Sequence, residues 1–448
     1  MKQKFIYGIA VALFVIASGF IILKYKKDKT KKESALYEIA PRKGNSLPDE
    51  WILCRNASTA LMKKIKQNPA DVKSLLGLTA LYLQEARTSG NYSYYDKAAL
   101  NSVNLLLKKD ANNLEALTYK AMIFLSQHHF AEGLTVAAQA EQSYPYNAFL
   151  YGILTDANVE LGNYTAALEK ADKMVSIRPD IRSYSRISYL REIYGDIPGA
   201  IEAMKLAVDA GAPGTEGTEW ARVQLGKLYE QTGEIKYAAM NYTIALDNRP
   251  GYPYALAGLA RIAVGEKNYK RAIDLYLRAD SVSTDYSFRE ALADVYALTG
   301  DQEKSSSIAN AITDEMEKTA NAAVKNDSAG HYADREMAYA YIAANKYDKA
   351  LKHALVEYNR RSDNIDANET VAWCYYYKKE YNNALPYIKV ALKTNCKNPV
   401  LLYRAGLIYA KAGDKLTAKN YIEEALKNNP NISPVLKSES ELVLKSLM

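Results

Sequence analysis

The chain is expected to fold as an all-α solenoid, a row of about ten helical hairpins behind one apolar N-terminal helix. Three observations lead there. Small residues recur in two registered columns with a period of about 34 residues. Gly or Asn recurs between the columns, where a helix would end. An uncharged apolar run, Phe5 to Leu23, stands near the start. At 448 residues the chain is too long for one compact core. A stack of repeats escapes that limit, because each unit buries its apolar face on its neighbours.

Residues 1–4 are a short tail and residues 5–23 a transmembrane anchor. At ~1.5 Å per residue that run spans about 28 Å, close to the hydrocarbon thickness of a bilayer. The competing assignment is a cleaved signal peptide, with Ala17-Ser18-Gly19 as the small-residue site. Phe20-Ile21-Ile22-Leu23 extends the apolar run past that site and favours the anchor. Residues 24–48 show little apolar periodicity and read as a lysine-rich flexible linker. Lysines flank both sides of the apolar run; the short positive tail places the body outside the cytoplasm, in the periplasm of a bacterium, against the pull of the second flank. Ten of the 58 basic residues but only three of the 51 acidic ones fall in residues 1–43, so the body carries equal numbers of each. The net charge of +7 is therefore a property of the tether. A neutral body lacks the basic face that a phosphate backbone requires, and no nucleic-acid partner is expected.

The repeat is clearest in two stretches. Val400 to Pro430 holds Gly406, Tyr409, Gly413, Ala418 and Ala425; Trp220 to Pro250 holds Gly226, Tyr229, Gly233, Ala238 and Ala245 at the same spacings. Ten units start near Val72, Leu114, Ala148, Ile181, Glu219, Pro253, Tyr286, His331, Ile365 and Pro399. Position 8 of each is small, from Thr79 and Ala121 through to Ala372 and Gly406. Position 20 is small as well, from Ala98 and Gly133 to Ala384 and Ala418. Two antiparallel helices come closest where these columns meet, and a larger side chain would force them apart. Position 15 is Gly162, Gly195, Gly233, Gly300, Asn345 or Gly413, residues that tolerate the left-handed conformation ending a helix. Pro145, Pro179, Pro250 and Pro430 stop the second helices.

This pattern resembles the tetratricopeptide repeat. The resemblance implies a right-handed superhelix with units 1–7 in 72–325 and units 8–10 in 331–432. Residues 49–71 then form a half-repeat helix and 433–448 a capping helix that covers the last apolar face. Three departures stand out: extra residues from Glu85 to Tyr95, a longer turn from Gly211 to Gly217, and an extended stretch from Thr313 to Gly330. All three read first as tolerated loop insertions; the alternative for the last is that it lets 49–325 and 331–448 flex against each other.

The resemblance also implies that positions 2, 5, 9 and 12 of the first helices line a concave groove. One patch there holds Phe149, Asp156, Arg182, Tyr189, Trp220, Lys227, Tyr254 and Arg261. A second holds Tyr332, Arg335, Tyr339, Glu369, Trp373 and Tyr376. Aromatic and Arg side chains suit protein recognition, since they offer large contact area with few rotatable bonds; the alternative for each ring is that it packs between adjacent first helices. The Lys and Asn pair that clamps a C-terminal carboxylate in one subtype has no counterpart at these positions. His128, His129, His331 and His353 and the scattered Cys54, Cys374 and Cys396 lack metal-ligand spacing. No phosphate-binding loop or nucleophile motif occurs. No catalytic residue, metal, cofactor or small-molecule substrate is expected. The expected role is a membrane-anchored scaffold for a peptide or partner protein, similar to anchored tetratricopeptide proteins of the bacterial cell envelope. Alternatives are a structural subunit of an envelope assembly or export machine that binds through its convex face or repeat edges, and an enzyme with a site assembled across repeats.

Overall fold

Seven of the ten first helices begin at the residue the pattern names, because a cap or a proline fixes each start. Asp71, Asn113, Asn147, Asp180, Asn364 and Asn398 each accept a backbone N–H of the first turn, and Pro253 and Pro399 begin their helices. In this computed structural model, which describes residues 14–27, 35–325, 330–429 and 431–447, the described residues are helical or irregular, with no strand. Helix α1 (Pro48–Gln67) precedes ten hairpins. They are α2 (Val72–Ser89) with α3 (Tyr92–Leu107), α4 (Leu114–Ser126) with α5 (Phe130–Ser143), α6 (Ala148–Glu160) with α7 (Tyr164–Ile177), and α8 (Ile181–Ile193) with α9 (Ile197–Asp209). Next come α10 (Glu216–Gln231) with α11 (Ile235–Asn248), α12 (Pro253–Gly265) with α13 (Tyr269–Val282), and α14 (Ser287–Leu298) with α15 (Gln302–Lys325). The last three are α16 (Asp334–Ala343) with α17 (Tyr347–Arg360), α18 (Ile365–Tyr377) with α19 (Tyr381–Ala391), and α20 (Pro399–Lys411) with α21 (Lys415–Asn428); α22 (Pro434–Leu447) covers the end.

The two small-residue columns do meet. Ser188 Oγ donates to the Ala200 carbonyl at 2.7 Å, which joins position 8 to position 20 within hairpin 4. A Cβ on Gly133 would lie 3.3 Å from the Ala121 carbonyl oxygen, and one on Gly406 would lie 3.2 Å from that of Ala418. The turn position behaves alike in every hairpin. Gly162, Gly195, Gly233, Gly300, Gly413 and Asn345 all have positive φ, and so do His128, Lys267 and Lys379 in hairpins that carry no Gly there. The left-handed turn is a property of the repeat, and it is imposed on whichever residue occupies it.

First helices touch the first helices of neighbouring units, whereas second helices make no comparable contact with one another. The row therefore curls with the first helices inside. After six units it meets itself. Thr284 N–H donates to the Ser89 carbonyl, His128 Nδ1 lies 2.9 Å from the Tyr332 carbonyl, and Ile365 N–H donates to Tyr164 Oη. Arg361 pairs with Glu160, and Asn429 Nδ2 donates to the Glu230 carbonyl. These partners stand 195 to 204 residues apart, six repeats of roughly 34. Gly162 and Gly195 sit on this seam, where a Cβ would lie 2.3 Å from Asp363 C and 2.5 Å from the Asn395 oxygen.

The seam alters two expectations. Residues 49–325 and 331–448 share contacts along it, and the buried core also runs from Ile312 and Met316 of α15 into Met337 and Tyr341 of α16. The extra residues after Glu85 are structural: they lengthen α2 to Ser89, whose carbonyl is a seam acceptor.

Part of the expected linker is also docked. Residues 35–47 lie against hairpin 1, where tyrosine hydroxyls supply hydrogen bonds to an extended backbone. Tyr82 Oη accepts from Tyr37 N–H, Tyr95 Oη accepts from Ala40 N–H, and Tyr94 Oη donates to the Glu38 carbonyl. Arg42, 6 % exposed, is held between Glu85 and Glu50, and Glu50 pairs with Arg249 across the seam. Residues 14–27 are helical, with Phe14, Ile16, Phe20, Ile21 and Leu23 exposed. Among the described residues no helix is long and apolar enough to cross a membrane. Residues 5–13 of the expected anchor, 28–34 of the linker and Pro430 lie outside the described residues.

Candidate binding groove

The inner face is built from first helices, so each inward side chain has neighbours on the helices before and after it. In hairpins 8 to 10 these neighbours brace one another, although Arg335 Nε and Arg404 Nε have no hydrogen-bond partner among the described residues. Arg404 donates to Glu369 at 2.8 Å and to Tyr339 Oη at 2.9 Å, and its guanidinium lies 5.0 Å from the Trp373 ring centre. Trp373 stacks on Tyr376 at 4.7 Å, and Tyr376 donates to Glu439 of the capping helix. Trp373 and Tyr376 are 4 % and 8 % exposed. Arg335 lies 3.9 Å from Asp366, and Tyr332 is sandwiched by His129 and Arg360. The second predicted patch is thus brought together as a cross-braced wall, with Trp373 and Tyr376 in the core.

The first patch divides. Arg182 covers Phe149, Asp156 is held by Arg186 at 2.5 and 2.8 Å, and Tyr254 donates to Asp285. Arg261 bridges Glu230 and Tyr242 Oη, and those carboxylate and phenol charges hold it above the ordinary guanidinium range despite burial. Three residues are left over on α8 and α10. Tyr189 is 42 % and Trp220 39 % exposed, and neither ring packs on another among the described residues. Lys227 has no ion-pair partner within 4.0 Å among the described residues. Enclosure by the inner wall and the neighbouring Arg261 charge push its amine down to about 8.

The structure adds two residues to the groove. Glu290 and Asp294 hold positions 5 and 9 of hairpin 7, one turn apart on α14, and neither forms an ion pair among the described residues. Enclosure raises Glu290 to about 7, with repulsion from Asp294 as the next cause, and raises Asp294 to about 6. The same positional columns, extended to hairpin 7, contain both. The inner face thus carries two half-exposed rings with an enclosed, unpaired lysine on hairpins 4 and 5, and two enclosed carboxylates on hairpin 7, with braced side chains between them.

Family models for the tetratricopeptide repeat match residues 223–285 and 400–432. No curated protein matches the chain. Among solved structures, the chain is similar to the human IFIT1 dimer with PPP-AAAA, at 14% identity over 72% of each chain with a TM-score of 0.46. It is also similar to a tetratricopeptide repeat protein from Parabacteroides merdae, at 17% identity over 60% of this chain and 98% of that one, TM-score 0.35. PilW, a type IV pilus biogenesis factor, aligns at 14% identity over 46% of this chain and 94% of its own, TM-score 0.39. The matched segments fall on hairpins 5, 6 and 10, which share the small-residue columns and the left-handed turn with the other units. Hairpins 5, 6 and 10 thus match tetratricopeptide-repeat models, within an all-α solenoid of helical hairpins.

Proposed function

We propose that this chain is a non-enzymatic protein-binding scaffold whose inner face receives an extended segment of a partner protein. One observation carries the reading: Tyr189 and Trp220 keep 42 % and 39 % of their surface exposed, and Lys227, enclosed on the same inner wall, has no ion-pair partner among the described residues. Exposed rings and an unpaired charge on neighbouring first helices have the makings of a binding hot spot. Glu290 and Asp294 complement a Lys or Arg on the same partner. The apolar N-terminal segment tethers the scaffold to a membrane, and the repeats face the extracytoplasmic side. Exposed apolar side chains from Phe14 to Leu23 support the tether.

A second reading places the partner on the outer surface. It draws on Leu206, Met240 and Leu277, each about half exposed on the second helices of three successive hairpins. Crosslinking and recovery of the partner by the intact anchored protein separates the two. Under the groove reading, Tyr189→Ala and Trp220→Ala together weaken capture by about 2 kcal/mol or more, with helicity unchanged. Leu206→Ser with Met240→Ser then has no effect. The reverse result assigns the outer face, and undiminished capture in both variants sinks both readings. Trp373→Ala is unsuited to this test, since it removes a core ring.

A further inference from the structure

The seam assembles a group of side chains that no local motif announces. His128 stands in the turn between α4 and α5; His331 and Glu336 belong to the start of hairpin 8, about 200 residues later. One ring nitrogen of each histidine and one Glu336 oxygen lie within 4.8 Å of one another, and the two rings are 4.2 Å apart between centres. His128 Nδ1 is 2.9 Å from the Tyr332 carbonyl and His331 Nδ1 is 3.1 Å from the Ser126 carbonyl. A carbonyl oxygen only accepts, so each neutral ring carries its proton on Nδ1 and its lone pair on Nε2; Glu336 Oε1 lies 3.8 Å from His128 Nδ1, so the His128 ring turns to bring Nε2 to the ion. A backbone acceptor on the far nitrogen is the usual outer support of a metal-binding imidazole, where it fixes both tautomer and ring orientation. Glu336 adds an independent sign. Its Oε2 is buried with no hydrogen-bond partner among the described residues, while Oε1 lies 3.8 Å from His128 Nδ1 on a side chain 40 % exposed; the adjacent Arg335 is directed to Asp366. An acceptor-only oxygen left bare is costly, and a cation would satisfy it.

We propose that His128, His331 and Glu336 bind one divalent first-row transition ion, with water completing the coordination. Two imidazoles and one carboxylate form a donor set suited to Zn(II), Co(II) or Ni(II) rather than to Mg(II) or Ca(II), which prefer all-oxygen shells. Bonds to such an ion are about 2.0–2.2 Å long, so Glu336 closes on the histidines when it binds. The ligands come from hairpins 2 and 8, so the ion acts as a staple across the seam. Its occupancy is linked to closure of the superhelical turn, and this holds whichever partner the groove takes.

The test uses the untagged full chain in detergent, freed of metal by chelation and titrated with Co(II). The expected result is one equivalent bound, with a visible d–d absorption that Zn(II) displaces, and a melting temperature raised by either ion. Glu336→Gln is nearly isosteric and removes no hydrogen bond at Oε2. His128→Asn keeps a residue that tolerates the positive φ of 60°. Both variants, and His331→Gln, are expected to lose the absorption and the thermal shift while keeping native helicity. A wild-type chain that takes up no Co(II), or Glu336→Gln and His331→Gln chains that bind it undiminished, overturns the proposal.

Discussion

Tyr242 shows how one side chain constrains its surroundings. It is fully buried, donates to Glu230 and accepts from Arg261. A Cβ on Gly226 or Gly258 would lie 2.5 or 2.6 Å from its ring, so both positions must be Gly. Those two glycines make room for a tyrosine that joins two repeats. Charge at the groove is tuned in the same local way. Glu290 and Asp294 have folded pKa values of about 7 and about 6, above the values near 4 of an unfolded chain. Between those limits the folded state holds more protons, so their contribution to stability is full below about pH 4 and is lost as pH rises through 6 to 7. The double change Glu290→Gln with Asp294→Asn should therefore match wild type in thermal melts near pH 4 and exceed it at pH 8. A difference that does not vary with pH would show that these carboxylates are not strained by enclosure.

At the scale of the element, the hairpin turn separates sequence preference from geometric demand. Gly occupies the left-handed position in most hairpins, yet His128, Lys267 and Lys379 adopt the same φ of 60°, 61° and 63°. A side chain in that conformation costs about 1–2 kcal/mol, partly offset by the greater chain entropy that Gly loses on folding. Lys379→Gly should thus stabilise the chain by about 0.5–1 kcal/mol in denaturant melts. His128 is different, because the strained residue there also makes a seam contact. A destabilised Lys379→Gly variant would mean that the lysine side chain contributes more than its strain.

For the molecule as a whole, the seam changes the kind of cooperativity. An open solenoid is coupled only between nearest neighbours, so its ends fray and its repeats unfold in sequence. Here hairpin 3 is also tied to hairpin 9 through Tyr164, Glu160 and Val159. Gly162→Ala places a methyl group 2.3 Å from Asp363 C, which forces that seam apart. Hydrogen exchange should then rise in α18 as well as in hairpin 3. Gly413→Ala shares the positive φ but has nothing within 4 Å of its Cβ, so it should leave both regions protected. Equal effects from the two changes would reduce the seam to passive contact.

Hairpin number, register, turn position and both terminal helices are legible in the sequence because each is a local, repeated property. A small residue at positions 8 and 20, a cap before each first helix and a left-handed residue at position 15 act within one unit, so periodicity exposes them. The groove columns were legible for the same reason, and they yielded Tyr189, Trp220 and Lys227. Which of those columns stay open was not, because that depends on the helix before and the helix after. Arg404 closes over Trp373 and Tyr339, whereas Trp220 keeps 39 % of its surface exposed. The seam, the docked strap at 35–47 and the His128–His331–Glu336 cluster belong to the tertiary structure alone. Each joins residues that local spacing does not relate, and they meet only because six repeats complete one turn and return the chain to its own edge.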